Sequence, residues 1–196
     1  AELASAGMKE LSELTGRELS FVSQYRMDDA DKVIVTQGVS FETAKAAADY
    51  LRSNKNGKVG VLGVTWLRPF PSEAIGDALA GKKKILVLEC ANTPLASDSP
   101  LKRELKACLS ERDQQLISAS YGLHGQPLHF GQLLELLTAL GSKNQPSRAW
   151  LGITSGQLKG GDFPKREGVV KAVATYYPAL IRDTVTPPDP VKLDGD

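Results

Sequence analysis

Gly57-Lys58-Val59-Gly60-Val61-Leu62-Gly63-Val64-Thr65-Trp66-Leu67-Arg68-Pro69-Phe70-Pro71 is the stretch that decides the fold. From Lys58 to about Trp66, valines and Leu62 are interleaved with the small Gly60 and Gly63, so both faces are apolar or small. Such a strand is covered on both sides, as parallel strands are when helices lie above and below their sheet. Pro69 and Pro71 end it, because proline has no N–H to give a central strand. Arg68, Pro69 and Phe70 therefore stand at its carboxyl end. In open α/β sheets such ends border the crevice where ligands and neighbouring domains meet.

Outward from this strand the chain alternates. Upstream, Lys32–Gln37 is an apolar strand closed by Gly38, and Ser40 is placed to cap a helix carrying Phe41, Ala44, Ala48 and Leu51 on one face. Downstream, Ser72 is placed to cap a short helix with Ile75, Ala78 and Leu79. The strand Ile85–Leu88 follows, with Glu89 and Cys90 at its end. Leu101, Leu105, Cys108 and Leu109 mark a helix, Gln115–Ser120 a strand, and Phe130, Leu133, Leu134, Leu137 and Leu140 the next helix. The order β-α-β-α-β-α-β-α with short links predicts an α/β fold, a three-layer sandwich around a mostly parallel sheet. Residues 1–16 read as a helix with an imperfect stripe of Leu3, Met8, Leu11 and Leu14. Residues 17–31 read as a connection, and Ala149–Ile153 as a short edge strand. Past it, 154–165 read as loop, Val169 to Ile181 as one more helix, and the tail from Thr186 as extended. The expected organisation is 1–30 as a leading helix and connector, 31–153 as the α/β domain, and 154–196 as an extension.

Composition narrows the function. The chain has 196 residues, 41% hydrophobic and 24% charged, enough for a real core. A net charge of +1 argues against a nucleic-acid binder, and Lys82-Lys83-Lys84 reads as a solvated turn. No stretch approaches the roughly 18 apolar residues of a membrane span. The N-terminus lacks a basic segment followed by an apolar run, so no signal peptide is expected. Cys90 and Cys108 read as reduced thiols, with Cys108 a packing residue on a helix face. These features suit a cytoplasmic protein, or one of an organellar matrix. The chain does not begin with methionine, which suits a processed product or a piece of something longer.

No self-contained active site is legible. No Gly-x-Gly-x-x-Gly opens a helix after a strand, no Walker motif occurs, and no serine sits in a nucleophile elbow. His124 and His129 are two ligands without a third. His124, between glycines, reads either as an ordinary loop residue or as a contact to a phosphate or a partner carbonyl. Tyr121, Gly122 and Gly125 lie between a strand and a helix. The glycines serve either a tight turn or an anion held by backbone N–H groups. Arg68 reads as a carboxylate or phosphate partner or, preferably, as an interface residue. Trp66, Phe70 and Pro71 would form its apolar rim.

Taken together, Leu14-Thr15-Gly16-Arg17, Asp29-Ala30-Asp31-Lys32-Val33-Ile34-Val35, Gly38, Glu42-Thr43-Ala44, Lys58–Leu62, Leu67-Arg68-Pro69-Phe70, Lys84–Leu88 and Tyr121-Gly122-Leu123 resemble domain II of the pyruvate:ferredoxin/flavodoxin oxidoreductase family. The resemblance runs over about residues 10–141. It implies a domain like the C-terminal domain of transketolases, inside a large enzyme that oxidatively decarboxylates a 2-oxo acid. It also implies thiamine diphosphate with magnesium, iron–sulfur clusters and coenzyme A for that parent, held by other domains, and ferredoxin or flavodoxin as acceptor. Two departures stand out. Glu89-Cys90 replaces the family's Asp-Arg, and Gly122-Leu123-His124-Gly125 replaces Gly-Leu-Gly.

The resulting expectation is a non-catalytic scaffold and interface domain. Arg68, Pro69, Phe70, Glu89, Tyr121, Gly122, His124 and Gly125 are its candidate crevice residues, and the other domains of the same enzyme are its partners. The alternatives are a module kept in a fused redox flavoprotein of the sulfite reductase type, or a stand-alone binder of anions or small molecules at the Gly122–Gly125 turn.

Overall fold

A computed structural model describes residues 2–55, 57–91, 93, 96–109, 114–122, 127–140, 147–151, 172, 175, 176 and 178. His124, Gly125, the expected loop over 154–165 and the tail from Thr186 lie outside these residues. So do Val169, Val170, Val173, Tyr177 and Ile181 of the expected last helix.

In chain order the elements are α1 (Glu2–Thr15), β1 (Val22–Tyr25), β2 (Lys32–Thr36), α2 (Ser40–Lys55), β3 (Val59–Val64), α3 (Ser72–Leu79), β4 (Lys84–Glu89), α4 (Pro100–Cys108), β5 (Gln115–Ser120), α5 (Phe130–Ala139) and β6 (Arg148–Trp150). The six strands form one sheet in the order β1-β3-β2-β4-β5-β6. All neighbours are parallel except β1 and β3, which run antiparallel with Val22 opposite Val64.

Strand alternation sorts the core into two layers. Val59 and Val61 of β3, Ile34, Leu86, Leu88 and Ile117 face α2 and α5, meeting Ala44, Ala47, Ala48, Leu51, Leu133, Leu136 and Leu137. Leu62 and Val64, with Val33, Val35, Ile85 and Val87, face α3 and α4, meeting Ile75, Leu79, Leu101 and Leu105. The fold is thus the expected α/β three-layer sandwich, and β3 is buried along its whole length.

The glycines of β3 are set by close approach on both sides. A Cβ on Gly63 would lie 2.8 Å from the Phe41 ring of α2. One on Gly60 would lie 2.8 Å from Ala30 Cβ, 2.9 Å from the Arg26 carbonyl oxygen and 2.9 Å from Met27 Sδ. The segment touching Gly60 is itself pinned. Arg52 donates to the Arg26 carbonyl (3.0 Å) and to Asp29 (2.7 Å), and Lys82 donates to the carbonyls of Met27 (2.7 Å) and Ala30 (3.0 Å). Lys82 is therefore a clamp on the β1–β2 loop, rather than a solvated turn residue.

Three local expectations are corrected. Residues 17–31 contain β1, a short edge strand whose half-buried residues carry little apolar signal. Ser40 does not cap α2. It is buried, and its hydroxyl donates to the Gln37 carbonyl (2.8 Å) beside Thr36 Oγ1 (2.6 Å). Ser72 does not cap α3 either, since Pro71 occupies the cap position and no side chain bonds there. α1 forms as expected and ends at Gly16 (φ 67°), but it buries no residue, and Leu3 and Leu14 are exposed. Among the described residues, no helix is long and apolar enough to cross a membrane.

Candidate functional site

The chain reverses direction across the sheet at β2. The α2 crossover carries it one way to β3, and the α3 crossover carries it back past β2 to β4. The β2/β4 boundary is therefore the topological switch point, where α/β sheets open a crevice at the strands' carboxyl ends. A crevice of about 190 Å³ lies there. Gln37 after β2, Leu67 and Arg68 after β3, Leu88 to Ala91 at the end of β4, and Tyr121 after β5 line it. Pro100, Leu101 and Glu104 of α4 close one wall.

Glu89 is the floor. Only 6% of it is exposed, and it follows the apolar run Ile85–Leu88 of β4. Its Oε1 accepts the Leu101 N–H at 2.6 Å. The first N–H groups of a helix have no partner within the helix, and a carboxylate there is favoured by the helix dipole. Ser99, at the cap position of α4, makes no side-chain cap bond, so Glu89 does that work from the end of β4. Its Oε2 is buried and has no hydrogen-bond partner among the described residues.

Arg68 forms the rim. Its Nη2 donates to Glu104 Oε1 at 2.7 Å, and its Nη1 to the Leu67 carbonyl at 2.7 Å. Both side chains of this pair reach solvent, Arg68 at 66% and Glu104 at 34%. The Arg68–Pro69 peptide is cis. Pro69 is exposed, whereas Phe70 is half-buried and packs on the α3/α4 layer. Trp66 turns inward and meets Phe21 edge-on, ring centroids 5.9 Å apart. The exposed apolar side chain of the rim is instead Leu67.

Tyr121 is 9% exposed and continues the β4–β5 pairing, its N–H donating to the Glu89 carbonyl at 2.9 Å. Gly122 has φ +72°, and a Cβ on it would lie 2.6 Å from Cys90 Sγ. The left-handed backbone at Gly122 favours glycine, and a side chain there would also have to displace the Cys90 sulfur. α5 begins only at Phe130, with an exposed His129 before it.

α4 is held in place by Asp98, which takes Lys102 at 2.9 Å and Lys106 at 2.6 Å. Lys102 is itself buried and also donates to the Ser147 carbonyl at 3.2 Å. Burial pushes the Asp98 carboxyl up, but the hydrogen bonds from Lys106 and Lys102 outweigh it and hold the group below its usual range.

The structure thus gathers Arg68, Glu89 and Tyr121 into one crevice, with Gly122 just behind it. Gln37, Cys90 and Glu104 also line it, although the sequence reading did not name them as site residues. Gln37 was within reach of the strand-end rule. Glu104 was not, because only tertiary packing brings a helix residue 36 positions on against Arg68.

A diphosphate does not fit this crevice. Its acidic and basic lining is the two carboxyl groups of Glu89 and Glu104 and the one guanidinium of Arg68, and that guanidinium is engaged by Glu104. Its volume is also below the roughly 300–1,000 Å³ of pockets for drug-sized ligands. Nor do the thiols fit a cluster, which takes four cysteines. The chain has two, Cys90 exposed at the crevice and Cys108 half-buried on α4.

Comparison with known proteins agrees with this architecture. Residues 30–133, just over half the chain, match the family model "Pyruvate:ferredoxin oxidoreductase core domain II". Pyruvate synthase subunit PorA of Thermotoga maritima is 38% identical over 122 residues, covering 61% of this chain and 31% of that protein. Pyruvate-flavodoxin oxidoreductase of Nostoc sp. is 30% identical over 150 residues, covering 74% and 37%. The chain thus spans about a third of these relatives' length. Among solved structures, a 2-oxoglutarate:ferredoxin oxidoreductase from Magnetococcus marinus aligns with a TM-score of 0.49 at 19% identity, over 66% of this chain and 21% of that one. With more than half its length matched by that family model, the chain belongs to the pyruvate:ferredoxin oxidoreductase core domain II family.

Proposed function

We propose that this chain is a structural and interface domain, without a catalytic centre of its own, of a thiamine diphosphate-dependent pyruvate:ferredoxin or pyruvate:flavodoxin oxidoreductase. In this reading thiamine diphosphate, magnesium, iron–sulfur clusters and coenzyme A belong to neighbouring domains or subunits. Residues 31–153 are the docking unit, in the cytoplasm or an organellar matrix.

The carboxyl edge of the sheet carries the proposal. Leu67, 43% exposed, lines a crevice with a charged rim, and Val39, two residues past the lining Gln37, is 84% exposed. Apolar side chains grouped around a polar recess are the makings of a protein interface. Helix α1, with Leu3, Leu11 and Leu14 exposed, offers a second apolar surface to the same assembly. The matched relatives are named as oxidoreductases or synthase subunits of pyruvate, which supports the parent activity over a sulfite reductase-type flavoprotein.

Arg68→Ala tests the interface role. Within the chain Arg68 makes an exposed pair worth about 0–1 kcal/mol, so the unfolding midpoint should barely move. Retention of the chain in its native assembly, followed by size-exclusion chromatography, should fall clearly. Equal loss of stability and assembly would remove Arg68 from the interface.

A further inference from the structure

We propose that the Glu89 crevice is a socket for one cationic side chain, an arginine or lysine, inserted by a neighbouring domain. The proposal rests on the interface reading above and gives it a specific chemistry.

Three observations lead there. First, Glu89 is 94% buried, one oxygen spent on the Leu101 N–H and the other without a partner among the described residues. A buried carboxylate oxygen left unpaired is costly, and buried polar groups are almost always satisfied. A donor brought by a partner satisfies it. Second, charge selects the donor. Arg68 and Glu104 neutralise one another at the rim, which leaves Glu89 as the uncompensated charge of the lining. The complement is a cation. Third, size selects the source. About 190 Å³ is room for a side chain and too little for a cofactor. Leu67, Leu88 and Leu101 in the lining supply apolar surface around such an anchor, and arginine is enriched among anchors of this kind.

The test uses the 196-residue chain and two small probes of one shape, ethylguanidinium and neutral N-ethylurea. Backbone amide spectra are followed during titration, with Leu101 and Tyr121 as reporters. The expected result is saturable shifts at these amides with ethylguanidinium, at least tenfold weaker binding of ethylurea, and loss of the preference in Glu89→Gln. That variant keeps an oxygen for the Leu101 N–H. In the native assembly Glu89→Gln should weaken docking by about 30-fold or more, the scale of a lost buried charge contact. Equal response to both probes, or no saturable response to either, would overturn the socket. This comparison uses the unaltered chain, so it stands even if Glu89→Gln folds poorly. A chain that docks normally but shows no preference for the cation would remove the socket alone. A chain that does not dock at all would remove the interface reading with it.

Discussion

Gly60→Ala should destabilise the domain by about 2 kcal/mol, and the figure follows from what surrounds the added methyl. Its three nearest atoms would lie at 2.8–2.9 Å, one of them the backbone oxygen of Arg26. Two of them, the Arg26 oxygen and Ala30 Cβ, can move only with the backbone. The Arg26 carbonyl is held by Arg52, and the Met27 and Ala30 carbonyls are held by Lys82. Overpacking a rigid site costs about 1–3 kcal/mol, with the upper part expected here. Replacing glycine also narrows the unfolded ensemble, which returns about 0.4–1 kcal/mol. The net loss is near 2 kcal/mol, or about a 1 M fall in urea midpoint at a slope of about 2 kcal/mol per molar. Gly63→Ala is the control. Its methyl would meet only the ring of Phe41, a half-buried side chain that can turn aside, so its loss should be smaller. An unchanged or raised midpoint for Gly60→Ala, or a larger loss for Gly63→Ala, would refute the packing argument for β3.

Acid should loosen the domain partly through Asp98. Its folded-state carboxyl lies below the ordinary 3.8, so its stabilisation is complete above that value and is lost as pH falls through the lower, folded one. Asp98→Asn should therefore flatten the urea midpoint against pH in that range, and an unaltered acid limb would contradict the assignment. The thiols should separate under iodoacetamide at pH 8. Cys90 is exposed, whereas burial pushes the Cys108 thiol up and its Sγ is tied to the Leu105 carbonyl. Mass spectrometry should find Cys90 alkylated first, and equal rates would speak against a packed Cys108.

Legibility in the sequence followed burial. β2, β3, β4 and β5 were readable because helices cover both their faces, which leaves nearly unbroken apolar or small runs such as Val59–Val64. β1 was not, because Val22-Ser23-Gln24-Tyr25 is short, polar in the middle and covered only in part. The face of α5 was read within a residue or two. Leu133, Leu137 and Leu140 are buried as expected, but Leu136 and Gln132 join them, while Phe130 turns out to meet Tyr50 edge-on at 5.7 Å. At the crevice, Arg68, Glu89 and Tyr121 were legible because each ends a strand. The roles were less so. Nothing in the local sequence says that Glu89 caps a helix beginning eleven residues later, or that Trp66 packs on Phe21 and Phe70 on the α3/α4 layer, leaving the rim to Leu67.

The central claim is that this domain acts only as part of a larger oxidoreductase. The most direct measurement is to recover the native assembly through this chain and assay pyruvate oxidation, with thiamine diphosphate, coenzyme A and a ferredoxin or flavodoxin acceptor supplied. The account predicts thiamine-dependent turnover by the assembly and none by the 196-residue chain. Turnover by the chain alone, or an assembly that does not oxidise pyruvate, would contradict it.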